Sequence, residues 1–377
     1  MSYNIFFHPL RNFPGPRLAK FSRLPLLRAH FKGKMFQYIS DAHAQYGPIV
    51  RVAPDELTIT HSDSWKDIYQ KRPQLIKDPY GLTPPLNGAD SLFTAQGQTH
   101  IRMRRTLTNA FSDKALRDQS PIVESYITLF VDRIRREAAK SRSKGSVVDL
   151  AKYMGYLTLD TISDLAIGQS FHGLEGDNEH SWILGFWLGV KFGSIRTSLS
   201  RFHPLELVFG FIFLRLTARE RTKNWKLVTD CITRRLGMGD LGETRSDFIT
   251  PVIGNVNEGK QKGITRQELN TNSLALVIAG CEVSNAALAA TTYFLLRYSS
   301  TLKRLNEEIR ESFQSENNIN VMSTMNLPYL SAVINEGLRI HHPTPSQLPR
   351  VVPKEGLMIA GHWIPGGVRK LIYCTFL

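Results

Sequence analysis

Thr265-Arg-Gln-Glu-Leu-Asn-Thr-Asn-Ser-Leu-Ala-Leu-Val-Ile-Ala-Gly-Cys-Glu-Val-Ser-Asn285 is the stretch whose reading decides the fold. It opens on a capping box: the threonine accepts an amide hydrogen bond at the helix start and the glutamate three residues on reaches back. The helix it opens is expected to run to about Arg297, which is unusually long for a globular protein. A helix this apolar either forms the centre of a large helical fold or crosses a bilayer. Glu282 in mid-segment makes the second costly, because a carboxylate is expensive in lipid. A central, buried helix is the expectation.

Working outward, Ser299 to Phe313 restarts as an amphipathic helix with Arg304 and Glu308 at i,i+4. Leu330 to Arg339 is another, closed by His341-His342-Pro343, and Leu357 to Trp363 reads as a short β segment. Upstream, apolar spacing of three and four predicts helices near 64–71, 98–111, 119–142, 148–168, 181–196 and 219–236. Ile49 to Val52 and Leu57 to Thr60 read as a hairpin turned by Ala53-Pro-Asp-Glu56. His8-Pro-Leu-Arg-Asn-Phe-Pro-Gly-Pro16 is a rigid leader, since proline fixes φ. The expected fold is mainly α with a small β-sheet region, in a single domain over 1–377.

The bulk properties agree. The chain has 377 residues, of which 42% are hydrophobic and 21% charged, and its mean hydropathy is −0.20. These values describe a globular body with a substantial core. Cys231, Cys281 and Cys374 are odd in number, widely spaced and without CxxC or Cys/His pattern, which argues against a disulfide framework or a zinc site. The net charge is +14. Up to residue 51 the acid Asp41 stands against Arg11, Arg17, Lys20, Arg23, Arg28, Lys32, Lys34 and Arg51. Such an arm suits anionic lipid, an acidic partner protein, or simply solvent. No recognised nucleic-acid module accompanies it, so no nucleic-acid partner is expected. Met1 to Phe7 is too short for the apolar core of a signal peptide.

Two constellations carry chemistry. Glu336 and Arg339 share a helix face and suit a charge-assisted pair; the apolar surroundings from Leu327 onward predict that the pair is buried and satisfied internally. Ala279-Gly280-Cys281-Glu282-Val283-Ser284-Asn285 combines a mid-helix glycine, which lets a flat ligand approach, with an acid and a hydroxyl able to relay protons. The plainer reading is a small-residue helix crossing beside one buried acid. Arg102, Arg104 and Arg105 by themselves are a basic helix face.

Together these segments resemble cytochrome P450, the haem-thiolate monooxygenase family, and particularly its fungal secondary-metabolism branch. The leader 8–16 and Tyr46-Gly-Pro-Ile-Val-Arg-Val-Ala-Pro-Asp-Glu56 resemble that branch's leader and first hairpin. His100-Ile-Arg-Met-Arg104-Arg105 resembles the helix that presents basic side chains to the haem propionates. Ala279 to Glu282 resembles the oxygen-binding groove, and Glu336 to Arg339 the E-x-x-R pair. The similarity runs over about 8–367. It implies that His100, Arg104 and Arg350 hold haem together with Ala279 and Gly280, and that Glu282 and Ser284 deliver protons. It also implies oxygen insertion into an apolar small-molecule substrate, electrons from an NADPH-dependent reductase, and an endoplasmic reticulum location.

Two departures stand beside it. The family's groove usually continues with threonine after the acid; here Val283 follows, and Ser284 lies about 100° further round the helix. The axial cysteine loop is not found, since none of the three cysteines fits it and 368–377 reads as an atypical tail. A C-terminally incomplete P450-like fold without a transmembrane anchor is therefore expected, cytoplasmic or in peripheral membrane contact. The alternative function is a catalytically inactive remnant or helical scaffold.

Overall fold

The computed structural model describes residues 2–79, 87–140, 147–176, 205–238, 245–254, 263–344, 348–366 and 368–372, with 193, 195, 196, 198, 199, 202 and 256 besides. Its helices are α1 (Ser2–Phe6), α2 (Arg17–Phe21), α3 (Leu24–Phe31), α4 (Met35–Tyr46), α5 (Gly97–Thr108), α6 (Asp113–Ala139), α7 (Leu150–Ile167), α8 (Leu205–Gly237), α9 (Arg266–Arg297), α10 (Ser299–Ser312) and α11 (Pro328–Ile340). One-turn helices at Thr250–Ile253 and Val321–Thr324 link them. The strands are β1 (Ile49–Ala53), β2 (Glu56–Ile59), β3 (Arg350–Val351), β4 (Leu357–Ile359), β5 (His362–Ile364) and β6 (Arg369–Ile372).

The capping box forms as read: Thr265 Oγ1 accepts from Glu268 N at 3.2 Å and Glu268 Oε2 accepts from Thr265 N at 2.9 Å. From there α9 runs for 32 residues and packs along α7, with α8 and α11 also against it. Its first half is the buried part: Leu269, Val277 and Cys281 join Leu159, Leu165, Ile167, Val228 and Ile232 in the main core. Gly280 explains how closely α7 approaches. A Cβ there would stand 2.5 Å from Ile162 Cγ1.

The expectation of a buried central helix holds only for that half. Val283, Leu288, Tyr293 and Leu296 are exposed among the described residues. By length and composition α9 also qualifies as a membrane span. Its contacts with α7, α8 and α11 instead integrate it into the helical body.

At the far side of the fold a four-stranded sheet has the order β1-β2-β6-β3. β1 and β2 pair antiparallel, β2 and β6 parallel, and β3 and β6 antiparallel. Residues expected as an atypical tail thus supply β6. The single β segment expected over 357–363 is a hairpin, β4 with β5, which turns through Ala360 and Gly361 at positive φ. Under the sheet Leu10, Leu57, Ile59, Ile68, Val352 and Ile364 form a second core. The leader is bound to it: Arg51 N donates to Pro14 O at 2.7 Å, and the buried Arg51 side chain donates to Pro54 O and Asn4 O.

A buried ion pair joins α8 to the segment after it. Arg235 Nε donates to Asp247 Oδ2 at 2.8 Å, and Asp247 Oδ1 accepts from Ile249 N at 3.0 Å and Thr250 N at 2.8 Å. The carboxylate therefore serves as ion-pair partner and as an N-terminal acceptor for the one-turn helix Thr250–Ile253.

The Glu336–Arg339 pair forms with bidentate geometry, at 2.7 and 2.8 Å, but on the surface and not in the interior that its apolar neighbours predict. The two side chains are 53% and 44% exposed. α11 buries Val333 and Gly337 instead, with Gly337 against Thr291 of α9, so the 336/339 face points away from the contact.

Candidate haem-carboxylate site and proton-handling helix

Three basic side chains distant in sequence converge beside the sheet. Lys77 and Arg350 lie opposite each other in an antiparallel β-bridge, held by Val351 N to Ile76 O at 2.9 Å and Asp78 N to Pro349 O at 3.2 Å. Lys77 Nζ donates to the carbonyls of Leu92, Phe93 and Ala95 at 3.0, 2.8 and 3.0 Å. Those carbonyls immediately precede α5, which carries His100 in its first turn. The Arg350 guanidinium lies over the Tyr69 ring at 5.0 Å, and its Nη1 donates to Pro349 O at 3.1 Å.

The electrostatics record the crowding. Burial, then the charges of Lys77, Arg104 and Arg350, push the His100 imidazole below its usual range. Burial and the neighbouring Arg350 bring the Lys77 ammonium down to about 8, against the opposing pull of Asp90. Burial also lowers Arg350. Cations held this close destabilise one another and so favour an anion placed among them. Arg104 is exposed and contributes through its charge on His100.

Arg102 points to another partner. Its guanidinium clamps Glu268, Nη2 to Oε1 at 2.6 Å and Nη1 to Oε2 at 2.9 Å, and also donates to Gly263 O. The capping-box glutamate thus ties α9 to α5. Successive residues at 100, 102 and 104 alternate between these tasks because each step of two turns about 200° round the helix.

The remaining candidate residues lie in mid-α9. Burial raises the Glu282 carboxyl to about 7, a value suited to proton exchange near neutral pH. Val283 is 40% exposed and Ser284 is also exposed. Ala279 is half-buried. Gly280 faces α7, so its small size serves the helix crossing, the plainer of the two sequence readings. The structure brings Lys77, His100, Arg104 and Arg350 together, and keeps Glu282 and Ser284 on a separate helix. Sequence reasoning missed Lys77 altogether, since it lies in no motif and is located by the β-bridge to Arg350.

Glu282 makes stability pH-dependent. Its folded value of about 7 exceeds the ordinary 4.5, so the folded state holds the proton more tightly. The contribution is complete below pH 4.5 and is lost as pH rises through about 7. Relative to Glu282→Gln, the parent should lose about 1–2 kcal/mol over that window after screening. Parallel urea-midpoint profiles for the two proteins would contradict this.

A mainly helical body with a small mixed sheet thus carries a cluster of basic side chains and a central helix bearing a half-buried acid. The sequence pattern of cytochrome P450 matches residues 14–376. Averantin hydroxylase of Dothistroma septosporum is 36% identical over 366 residues, spanning 97% of this chain and 67% of that protein. Cytochrome P450 monooxygenase astJ of Aspergillus oryzae is 34% identical over 383 residues, spanning 100% and 75%. Averantin hydroxylase of Aspergillus parasiticus is 34% identical over 365 residues, spanning 97% and 72%. The chain belongs to the cytochrome P450 family, and it resembles that family's fungal secondary-metabolism monooxygenases. The remnant alternative gains no support from these relatives.

The family's cofactor is haem, and the residues can be tested against it. Its two carboxylates fit the Lys77, His100, Arg104 and Arg350 cluster by charge and by number. Its iron does not fit the described cysteines. Cys281 Sγ lies 3.7 Å from Thr158 Oγ1 on the α7 side, and burial lifts its thiol to about 12. Cys231 donates to Gln169 Oε1 at 3.3 Å, and burial raises it too. A thiol must lose its proton to bind metal, and both sites oppose that. Cys374 lies outside the described residues.

Proposed function

We propose that this protein hydroxylates an apolar small molecule, with Lys77, His100, Arg104 and Arg350 anchoring the haem by its carboxylates. The convergence of these cations carries the reading. Haem, when bound, supplies the oxidising chemistry that places one oxygen atom of dioxygen into the substrate, with electrons from an NADPH-dependent reductase. The chain's own residues divide the remaining work. Arg350, over the Tyr69 ring and with Nη1 held by Leu348 O and Pro349 O, keeps its other guanidinium nitrogens for a charge-assisted carboxylate contact. His100, whose imidazole is pushed below its usual range by burial and then by the charges of Lys77, Arg104 and Arg350, can offer a ring N–H to the same carboxylate. Glu282 Oε exchanges a proton near neutral pH, and Ser284 Oγ is the nearest hydroxyl in sequence to pass it on. Val283 and Leu288 keep the adjoining surface apolar. Two of the relatives are named for averantin, which makes that compound a reasonable first substrate to try.

The test compares haemin with haemin dimethyl ester, which has the same ring and iron but no free carboxylate. Soret titration should show haemin binding at least about tenfold more tightly, the value of one modest charge-assisted pair. Equal affinities would remove the assignment.

The N-terminal helices support peripheral attachment to an anionic membrane. Leu24, Arg28 and Phe31 form one exposed stripe of α3 at helical spacing, and Tyr3, Phe6, Phe7, Leu18 and Phe36 are exposed around it. Arg11, Arg17, Lys32 and Lys34 are exposed in the same segment, whereas Arg23 is paired with Asp55 and Glu56. Apolar side chains among cations suit an anionic interface. Sedimentation with vesicles should show binding that needs phosphatidylserine and weakens in salt. Equal binding to neutral vesicles would refute the electrostatic part.

A further inference from the structure

We propose that Asn272 is a positioning residue for the cationic cluster, and that it holds Lys77 in place through the backbone of Leu92. The inference rests on the reading of that cluster as a carboxylate site, but its evidence is separate. Asn272 is 2% exposed, in the second turn of α9. Its Nδ2 donates to Glu268 O of its own helix at 2.7 Å, which fixes the amide plane. Its Oδ1 accepts from Leu92 N at 2.7 Å, across 180 residues of sequence.

The carbonyl of Leu92 is one of the three that receive the Lys77 ammonium. An ammonium has three N–H donors, and the carbonyls of Leu92, Phe93 and Ala95 use all of them. Lys77 therefore contributes charge to the site rather than a hydrogen bond, and where the charge sits depends on where residues 92–95 sit. The Ser91–Thr94 turn keeps the segment compact, with Ser91 N donating to Thr94 Oγ1 at 2.9 Å and Ala95 N to Ser91 O at 2.8 Å. Asn272 ties this turn directly to the central helix. Asn87, a few residues earlier, is held to the same helix by Gln267 O at 3.1 Å and Thr271 Oγ1 at 2.9 Å, and leaves residues 92–95 themselves to Asn272. The Arg102–Glu268 clamp fixes α9 one turn earlier. The two together set the cations before any ligand arrives, so binding does not have to order them.

The experiment uses the protein without added haem, so its outcome is independent of the haemin comparison. Each lysine is followed by reductive methylation and mass spectrometry, with exposed Lys66 and Lys71 as internal references. Asn272→Leu keeps the branching at Cγ and removes both the acceptor for Leu92 N and the donor to Glu268 O. Lys77 should then label about tenfold faster against the references, as expected for loss of one buried hydrogen bond. Ser273→Ala, at an equally buried neighbour in the same turn, should leave Lys77 protected. Unchanged labelling in Asn272→Leu, or equal release by Ser273→Ala, would overturn the proposal. Hydrogen exchange on the unaltered protein gives a second reading that needs no variant. The Leu92 amide should be strongly protected, and exchange at the rate of an open loop would also overturn it.

Discussion

Asp247→Ala should cost about 3–5 kcal/mol of stability, the range for breaking a buried ion pair from one side. Asp247 is 0% exposed and its partner Arg235 2%. Removing the carboxylate leaves a guanidinium charge in the core and deprives the Ile249 and Thr250 amides of their acceptor. Arg235 keeps its contact to Thr250 Oγ1 at 2.6 Å, but its charge and the two amides are left largely uncompensated in a buried setting. Asp247→Asn keeps an acceptor for the amides and should lose less. The exposed Arg135–Glu316 pair is the contrast: Arg135→Ala breaks a contact in solvent, in which Nη2 reaches both carboxylate oxygens, and should leave the unfolding midpoint unchanged. The check is urea unfolding of all three variants with the slope compared to the parent. A loss below about 1 kcal/mol for Asp247→Ala would mean that this core admits water.

The contrast between these pairs also explains what the sequence could and could not disclose. Thr265 to Glu268 was legible because a capping box is local, and its partners are three residues apart. The β1–β2 hairpin was legible for the same reason. Glu336 and Arg339 were recognisable as a pair by spacing, yet their exposure depends on what α11 packs against, and the apolar neighbours serve the α9 contact at Gly337. Gly280 was ambiguous between ligand approach and helix crossing until Ile162 appeared beside it. Lys77 had no legible signal. Its role arises from a β-bridge to Arg350 and a turn at 91–95, both set by tertiary contacts. Arg102 was read as part of a basic face, though its distance of two from His100 already placed it on the other side of the helix.

Arg350→Ala should weaken haemin binding by about 10- to 100-fold, the value of a charge-assisted pair lost from a partly desolvated site. The guanidinium already bears the cost of burial, and it is held over the Tyr69 ring with Nη1 on Leu348 O and Pro349 O. A carboxylate arriving there meets an oriented donor without further ordering. Without the ligand the same arginine is a burden, because it helps push Lys77 down to about 8 and lowers His100. Its removal should therefore let both rise toward ordinary values and should not destabilise the ligand-free protein. Loss of binding with unchanged or improved stability separates a ligand-binding role from a structural one. Arg350→Lys should recover little, since an ammonium lacks the planar fork and stacks poorly on a ring. Haemin dimethyl ester supplies the internal control. With its carboxylates blocked it has nothing for Arg350 to grip, so the substitution should leave its affinity unchanged. An equal fall for haemin and ester would mean that Arg350 shapes the pocket rather than holding the charge.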